Sequence, residues 1–357
     1  MYFPEINFVR GWACLAVVTV HVAGAFYYQQ GASWSEISFM LNQLGRFGTP
    51  LFAVIGGFLL FHQAMHRRFS LMMFIRSRTM KILLPFLIWS GIYLLILWRF
   101  YEVPVFSDGL ALVLRIITGQ SYYHLYFMVV VLQFYLLFPL LQKNLRSERA
   151  WRVAMLVSLA VTAGWLLFPL NFEISKALGH PAMLGKWIFY FLFGGFLARH
   201  WNRIKEELCR YPLQVAGLTI AVFIGGIVEY QWWGPYSSQR LMNLVNIPIL
   251  FLALVTVHPW FTRTVPYLEE GLQRIGTFGF GIYLVHPLWI SLFMEWIPAK
   301  YWHIGMLPFI WTAILSASMI MILLIRRTPF HPYLLTIPKH PTHKTQQKPI
   351  PSAAARS

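Results

Sequence analysis

The chain has 357 residues, of which 58% are hydrophobic and only 11% are charged. Soluble domains carry about 25% charged residues, so this composition excludes an ordinary soluble protein and indicates a polytopic membrane protein. The formal net charge of +17 would suit nucleic-acid binding, but the distribution of the charges along the chain explains it as membrane topology. The two cysteines, Cys14 and Cys209, are too few for a disulfide framework, and we expect both to be reduced.

Hydropathy and helix breakers predict an all-α fold with about ten transmembrane helices. The predicted spans lie near residues 8–28, 39–62, 82–101, 122–142, 151–170, 183–200, 211–230, 240–258, 275–297 and 305–325. The span at 183–200 is the weakest, because its apolar run is short and contains two glycines. We expect the first span to be a retained helix rather than a cleaved signal peptide, because Glu5 is the one charged side chain before Arg10.

The loop charges predict the orientation of the chain. Most of the 29 lysine and arginine residues fall on the side that holds the N-terminus, the connectors after even-numbered spans and the C-terminus. The positive-inside rule then places both termini in the cytoplasm and the protein in the cell membrane as a multi-pass protein, with no nucleic-acid partner. The opposite side holds the minority: Arg46, Arg99, Arg115, Lys176, Lys186, Arg240 and Lys300.

The C-terminal segment differs in composition from the rest of the chain. Residues 337–357 are rich in proline, lysine and glutamine and contain no acidic residue. Such a segment cannot bury enough apolar surface to form a core. We therefore predict a membrane domain at residues 1–330 and a disordered basic cytoplasmic tail at 331–357.

Arg10 and His21 lie on one face of the first predicted helix. They are eleven residues apart, which corresponds to about three turns and about 16 Å along the axis. Arg10 would therefore lie at a membrane surface and His21 near mid-depth. An ionisable residue at that depth is costly, so a functional role is the favoured hypothesis. The alternative is a histidine that is hydrogen-bonded to a neighbouring helix.

A basic cluster leads from a cytoplasmic loop into the third span. Arg78 and Lys81 are three residues apart and would share a helix face, with Arg76 beside them. Such a cluster could hold the phosphates of a cytoplasmic cofactor. On these residues alone a topology signal, or a contact with anionic lipid, is the favoured interpretation.

Two further clusters lie later in the chain. His124 stands among aromatic residues at the outer start of the fourth span, either in an interfacial belt or in contact with an external polar acceptor. Tyr283 and His286 share a face of the ninth span, one turn apart, and Pro287 predicts a kink that frees backbone groups toward a cavity. The alternative for His286 is a packing kink with a satisfied histidine.

Other chemistries have little support in the sequence. There is no Gly-rich phosphate loop, and the H-E-x-x-H, C-x-x-C and G-x-S-x-G motifs are missing. A metal site built from His21, His124 and His286 is disfavoured, because their estimated depths in the membrane differ. We therefore expect no metal. Paired broken helices of an inverted-repeat transporter are not apparent either.

Four segments in order resemble the acyltransferase-3 family of integral membrane acyltransferases. They are R-G-x-A-x-x-x-V-x-x-x-H at 10–21, the second-helix segment 47–60, the basic-to-proline segment 81–86 and the segment 279–287 with its Y-L-x-H-P pattern. The resemblance covers the chain to about residue 330. Within the family, segments 119–123, 130–134 and 187–194 resemble the membrane protein of poly-N-acetylglucosamine biofilm operons, which has been labelled an exporter and an O-succinyltransferase.

Two positions depart from the family pattern. Gly56-Gly57 stands where Ser-Gly is usual, and lysine stands at position 81 where arginine is common. The first change removes any role for a serine hydroxyl. The second makes a cofactor role for the basic cluster less secure than the roles of Arg10 and His21.

The resemblance implies an enzyme that moves an acetyl or succinyl group from cytoplasmic acyl-coenzyme A to a hydroxyl of an extracytoplasmic glycan or glycolipid. His21 is then the expected general base, and Arg10 positions the thioester. Arg76, Arg78 and Lys81 would bind the cofactor, and the acceptor would contact the residues His124, Tyr283 and His286. The rival hypotheses are a polysaccharide exporter or flippase without acyl-transfer chemistry, and a membrane scaffold.

Overall fold

The computed structural model describes residues 3–167, 180–233 and 237–336, and these residues contain helices and no strand. The first helices are α1 (Pro4–Gln29), α2 (Glu36–Gly45), α3 (Gly48–His66), α4 (Leu71–Arg78), α5 (Leu84–Phe100), α6 (Gly109–Ile117), α7 (Tyr126–Asn144) and α8 (Glu148–Leu167). They are followed by α9 (Ile188–Arg199), α10 (Trp201–Arg210), α11 (Pro212–Trp233), α12 (Asn243–Thr264), α13 (Pro266–Trp296), α14 (Leu307–Arg326) and α15 (His331–Leu334). A π-helical turn, Thr79–Leu83, joins α4 to α5.

The prediction of an all-α polytopic membrane protein is confirmed. Within the described ranges, nine helical stretches are long and apolar enough to cross a membrane, and each overlaps a predicted span. The remaining predicted span, 183–200, contains the shorter helix α9, whose 12 residues extend about 18 Å against a hydrocarbon core of about 30 Å. Whether both termini lie on one side therefore depends on how the chain crosses near α9, and their cytoplasmic location stays a prediction.

Helix α9 is buried by its neighbours rather than exposed to lipid. Glycines let its backbone touch that of α3: a Cβ atom on Gly57 would overlap the carbonyl oxygen of Phe191, and one on Gly194 would overlap that of Val54. Backbone contact of this kind is how helices associate where the hydrophobic effect gives little drive. At the neighbouring Gly56 an added Cβ would lie 3.2 Å from the ring of Phe191, which is buried and stacked on Phe134.

The central helix α1 packs along α13 in the same way. A Cβ atom on Gly11 would overlap the carbonyl oxygen of Leu272, and one on Gly276 would overlap that of Asn7. The Asn7 side chain also donates to the carbonyl oxygen of Gln273 at 2.6 Å. Gly276 of the ninth predicted span thus lies directly on the backbone of α1, and these contacts fix the N-terminal part of α1 against α13.

The first residues of the predicted tail lie against α5. Trp89 donates from Nε1 to the carbonyl oxygen of Leu334 at 3.0 Å, and Thr336 donates to the carbonyl oxygen of Lys81 at 2.5 Å. Leu335 between them is buried. Residues 337–357 lie outside the described residues, so the disorder of the tail stays a prediction.

Candidate active site

Three histidines from different parts of the chain meet inside the bundle. His21 of α1 stacks on His286 of α13, with ring centroids 5.3 Å apart and an interplanar angle of 29°. His124, from the segment before α7, lies edge-on to His286 at 5.9 Å. The expectation that the three residues differ in depth was wrong. Among the described residues, however, no group of three or more His, Cys, Asp or Glu side chains has the arrangement needed to hold a metal ion.

A cavity of about 910 Å³ begins at this cluster. It runs along α1 from Val17 past His21 to Tyr28, and residues of the loops at that end of the bundle form its mouth. Its polar and aromatic lining includes His21, Asn42, Arg46, Thr49, Trp34, Tyr101, Arg115, Gln120, Tyr122, Tyr123, His124 and Tyr283. His21 therefore faces an open space that is large enough for a sugar residue and not the acyl chains of the bilayer.

His286 lies behind His21 and does not line the cavity. It is fully buried, and its Nδ1 lies 2.8 Å from the carbonyl oxygen of Ile282. A carbonyl can only accept, so Nδ1 carries the proton and the neutral ring keeps a lone pair on Nε2. That Nε2 atom is buried without a hydrogen-bond partner in the part of the chain that is described. His286 thus supports the ring of His21, and its predicted contact with the acceptor becomes indirect.

His124 is held at the cavity wall by aromatic neighbours. The hydroxyl of Tyr283 donates to the backbone carbonyl oxygen of His124, and the ring of Tyr93 lies edge-on at 5.0 Å. Both ring nitrogens of His124 are buried and lack a hydrogen-bond partner among the described residues. Buried polar atoms are nearly always satisfied, so an unsatisfied pair at a cavity wall indicates a place for a polar ligand or water.

Arg10 does not reach this cavity. Its guanidinium donates to Oδ1 of Asn7 at 3.4 Å, and its aliphatic stem lies against Gly279, where an added Cβ would be 3.5 Å from Cγ and Cδ. Val17 is the lining residue of α1 that is nearest to Arg10 in the chain. The two are separated by about 10 Å of helix. Arg10 and His21 share a helix, as predicted, but of the two only His21 lines this cavity.

The predicted basic cluster does not come together as a unit. Arg78 faces a smaller cavity of about 250 Å³ with Arg67 and Arg68, and its guanidinium lies 5.0 Å from the centre of the Tyr135 ring. Arg76 and Lys81 are exposed and do not line that cavity. For Lys81 the π-helical turn Thr79–Leu83 is the physical reason, because the wider turn changes its angle to Arg78, with which an α-helix would place it on one face. Arg76 precedes that turn and lies two residues from Arg78 in α4, on another side of the helix.

Sequence reasoning missed a group of polar residues on the far side of His21. Arg46, at the junction of α2 and α3, donates from Nε to Oδ1 of Asn42 at 3.1 Å, and Asn42 donates to the carbonyl oxygen of Val20 at 2.9 Å. Arg240 forms a buried ion pair with Glu229 at 3.3 Å. Both arginines are among the seven lysine and arginine residues that the sequence places on the side opposite the termini. Their position against the general charge distribution was the signal in the sequence that could have identified them.

Comparison with known proteins defines the class of this chain. Residues 3–327 match the family model described as an acyltransferase domain, which is the acyltransferase-3 family. The chain therefore belongs to this family and is a membrane acyltransferase.

Curated relatives share about a quarter of their residues with the chain. It is 25% identical over 303 residues to a probable poly-beta-1,6-N-acetyl-D-glucosamine export protein of Staphylococcus aureus strain Mu50, covering 80% of this chain and 81% of that protein. It is 24% identical over 298 residues to the protein of the same name from Staphylococcus epidermidis, covering 80% of each. No solved structure matches the chain.

Proposed function

We propose that the protein transfers an acyl group from cytoplasmic acyl-coenzyme A to a hydroxyl of an extracytoplasmic glycan or glycolipid. The observation that carries this proposal is the position of His21, which stands half-buried at the inner end of a cavity whose mouth lies among the loops. A saccharide entering by that mouth brings a hydroxyl to an imidazole, away from the end of the bundle that holds Arg10 and Arg78. The membrane acyltransferase class supplies the reaction type.

The proposed chemistry uses His21 as the general base. A neutral imidazole nitrogen accepts the proton of the acceptor hydroxyl while the oxygen attacks the thioester carbonyl carbon. The new carbon–oxygen ester bond forms, the carbon–sulfur bond breaks, and the thiolate leaves. The proton then passes from the imidazolium to the sulfur, which gives free coenzyme A and restores the neutral histidine. No group outside the two substrates is consumed.

The neighbours of His21 position the reacting groups. The stacked ring of His286 holds the His21 plane, and the edge-on ring of His124 faces the same space with two unsatisfied nitrogens. We assign His124 to hydrogen bonds with the acceptor and Tyr283 to the placement of His124. These roles keep the three residues at the acceptor side, with His286 acting through His21.

On the donor side we assign phosphate binding to Arg78 together with Arg67 and Arg68. These three line one small cavity, and guanidinium groups suit phosphate geometry. Arg10 lies between that cavity and His21 along the bundle, so we assign it to the thioester arm of the donor. Arg76 and Lys81 are exposed, and we expect only a long-range electrostatic contribution from them.

The test of the function is the modification state of the surface polysaccharide. A deletion strain is complemented with the wild-type gene or with His21→Ala, and the extracted polymer is analysed by mass spectrometry for ester-linked acyl groups. We expect acyl esters with the wild type and their loss with His21→Ala, while both proteins reach the membrane in equal amounts. Unchanged acylation in the His21→Ala strain would contradict the assignment.

Export of a polysaccharide is the second candidate, and the names of the two staphylococcal relatives favour it. The same strains separate the two functions, because an exporter controls where the polymer is found and an acyltransferase controls what it carries. Unmodified polymer outside His21→Ala cells supports acyl transfer. Polymer retained inside these cells with its modification intact supports export. A scaffold role would leave both the His21→Ala and Arg10→Ala strains unchanged.

A further inference from the structure

The cavity that holds His21 is positively charged. Arg46 and Arg115 both line it, and none of its described lining residues is an aspartate or a glutamate. Guanidinium groups stay charged at any pH that a protein meets. A charge beside a low-dielectric wall is costly unless an opposite charge approaches it. The cavity therefore offers two positive charges to whatever fills it.

Arg46 and Arg240 differ in the charge of their side-chain partners. Arg240 is buried and forms an ion pair with Glu229 at 3.3 Å, so its charge is balanced by the protein itself. The hydrogen-bond partner of Arg46 is Asn42, a neutral amide. Among the described residues, then, Arg240 is paired with a carboxylate, whereas the cavity-facing Arg46 is bonded to a neutral amide.

The side chain of Arg46 is also fixed in position relative to His21. Its Nε donates to the buried amide of Asn42, and that amide donates to the carbonyl oxygen of Val20, the residue before His21. This bridge uses Nε only. The terminal Nη1 and Nη2 atoms have no hydrogen-bond acceptor among the described residues, so they present two donors in the planar geometry that matches a carboxylate or a phosphate.

We propose that Arg46 binds an anionic group, a carboxylate or a phosphate, of the molecule that reacts at His21, with Arg115 adding a second positive charge along the cavity. This proposal rests on the acyl-transfer function for its catalytic meaning. The anion has two possible sources: the free carboxylate of a dicarboxylic acyl group, or an acidic substituent on the acceptor. In either case Arg46 determines specificity and takes no part in the proton transfer.

Anion binding is measured first and without any catalysis. The purified full chain in a neutral detergent is titrated with succinate, with inorganic phosphate and with the neutral analogue succinamide, and its thermal unfolding is followed. We expect at least one anion, and not succinamide, to stabilise the wild type. Arg46→Gln should weaken that binding about 10- to 100-fold, because a hydrogen-bonded charge is removed. Arg99→Gln is the matched control, since Arg99 is exposed and does not line the cavity.

Transfer assays then identify which reactant carries the anion. Acetyl-coenzyme A and succinyl-coenzyme A are supplied with a neutral β-1,6-linked N-acetylglucosamine oligomer and with a phosphorylated form of it. If Arg46→Gln lowers kcat/KM for succinyl transfer alone, the anion belongs to the acyl group. If it lowers transfer to the phosphorylated oligomer with both donors, the anion belongs to the acceptor.

Three results would overturn the anion site. They are a wild type that is stabilised by neither anion, an Arg46→Gln protein that binds both as the wild type does, and an equal loss of acetyl transfer to the neutral oligomer. The last would show that Arg46 is needed for the site as a whole and not for an anion. A wild type that binds an anion but transfers no acyl group would contradict the proposed function and leave the anion site standing.

Discussion

Replacing His21 is the most direct perturbation of the proposed mechanism. The His21→Gln variant keeps a hydrogen-bonding side chain but cannot accept a proton at neutral pH. General-base catalysis contributes about 10²- to 10⁴-fold to a rate, which corresponds to about 3–5 kcal/mol of barrier. The structural cost is smaller. His21 is half-buried at the edge of an existing cavity, so the change mainly removes ring contacts with Tyr123 and His286, each worth about 0.5–1.5 kcal/mol.

The assay follows release of free coenzyme A and formation of acylated oligosaccharide by purified protein in detergent. We expect kcat to fall at least 100-fold in His21→Gln, while the unfolding temperature changes little. His303→Gln is the matched control, because His303 is exposed and does not line the cavity. A His21→Gln protein that retains more than a tenth of the wild-type kcat would refute the general-base assignment, because the reaction would then proceed without a base at this position.

Three further predictions concern packing, the donor and the acceptor. Gly57→Ala forces α3 away from α9 and should lower the free energy of unfolding by about 1–3 kcal/mol, measured as a lower unfolding temperature. Gly91→Ala is the control and should leave the unfolding temperature unchanged, because nothing lies within 4 Å of the added Cβ. Arg78→Gln should raise the KM for acyl-coenzyme A about 10- to 100-fold, because a charged hydrogen bond is lost. Arg149→Gln is the control, since Arg149 is exposed, and equal KM values for the two variants would contradict the donor site. Tyr283→Phe removes the hydrogen bond to the backbone of His124 and should weaken acceptor binding by about 1 kcal/mol. The KM for the acceptor should rise while the KM for acyl-coenzyme A stays unchanged. An equal rise in both KM values would exclude a role specific to the acceptor.

The membrane architecture was predictable because it depends on composition over long windows. Runs of about 20 apolar residues bounded by charges can be located without knowledge of tertiary contacts. The one ambiguous span, 183–200, corresponds to helix α9, which is short enough to escape that rule. This helix packs against α3 by backbone contact at Gly57 and Gly194. Contacts between glycines that are distant in the sequence cannot be derived from hydropathy.

The candidate site was predictable in its members but not in its geometry. His21 and His286 were each expected to belong to the site, and their rings stack. His124 was expected at the outer surface because it begins a span, yet it is buried beside the other two. The segment before α7 folds inward at this point, and its hydrogen bond from Tyr283 joins residues 159 positions apart. A pairing over that distance leaves no periodic signal in a single sequence.

The basic cluster shows the opposite case, in which a local rule failed. Three-residue spacing placed Arg78 and Lys81 on one face, but the rule assumes a regular α-helix. The π-helical turn at Thr79–Leu83 breaks that assumption within the motif itself. Arg78, which precedes that turn, lines one cavity with Arg67 and Arg68 and not with Lys81.

The geometry also restricts how a donor can reach His21. The seam between α1 and α13 is closed by backbone contact at Gly11 and Gly276, so opening it would separate two helices. One turn further along α13, Gly279 contacts the aliphatic part of the Arg10 side chain and not the backbone of α1. Moving one flexible side chain costs less than separating two backbones. We therefore expect the thioester to enter beside Arg10, with the displacement of that side chain opening the last 10 Å or so of the path along α1 toward the cavity.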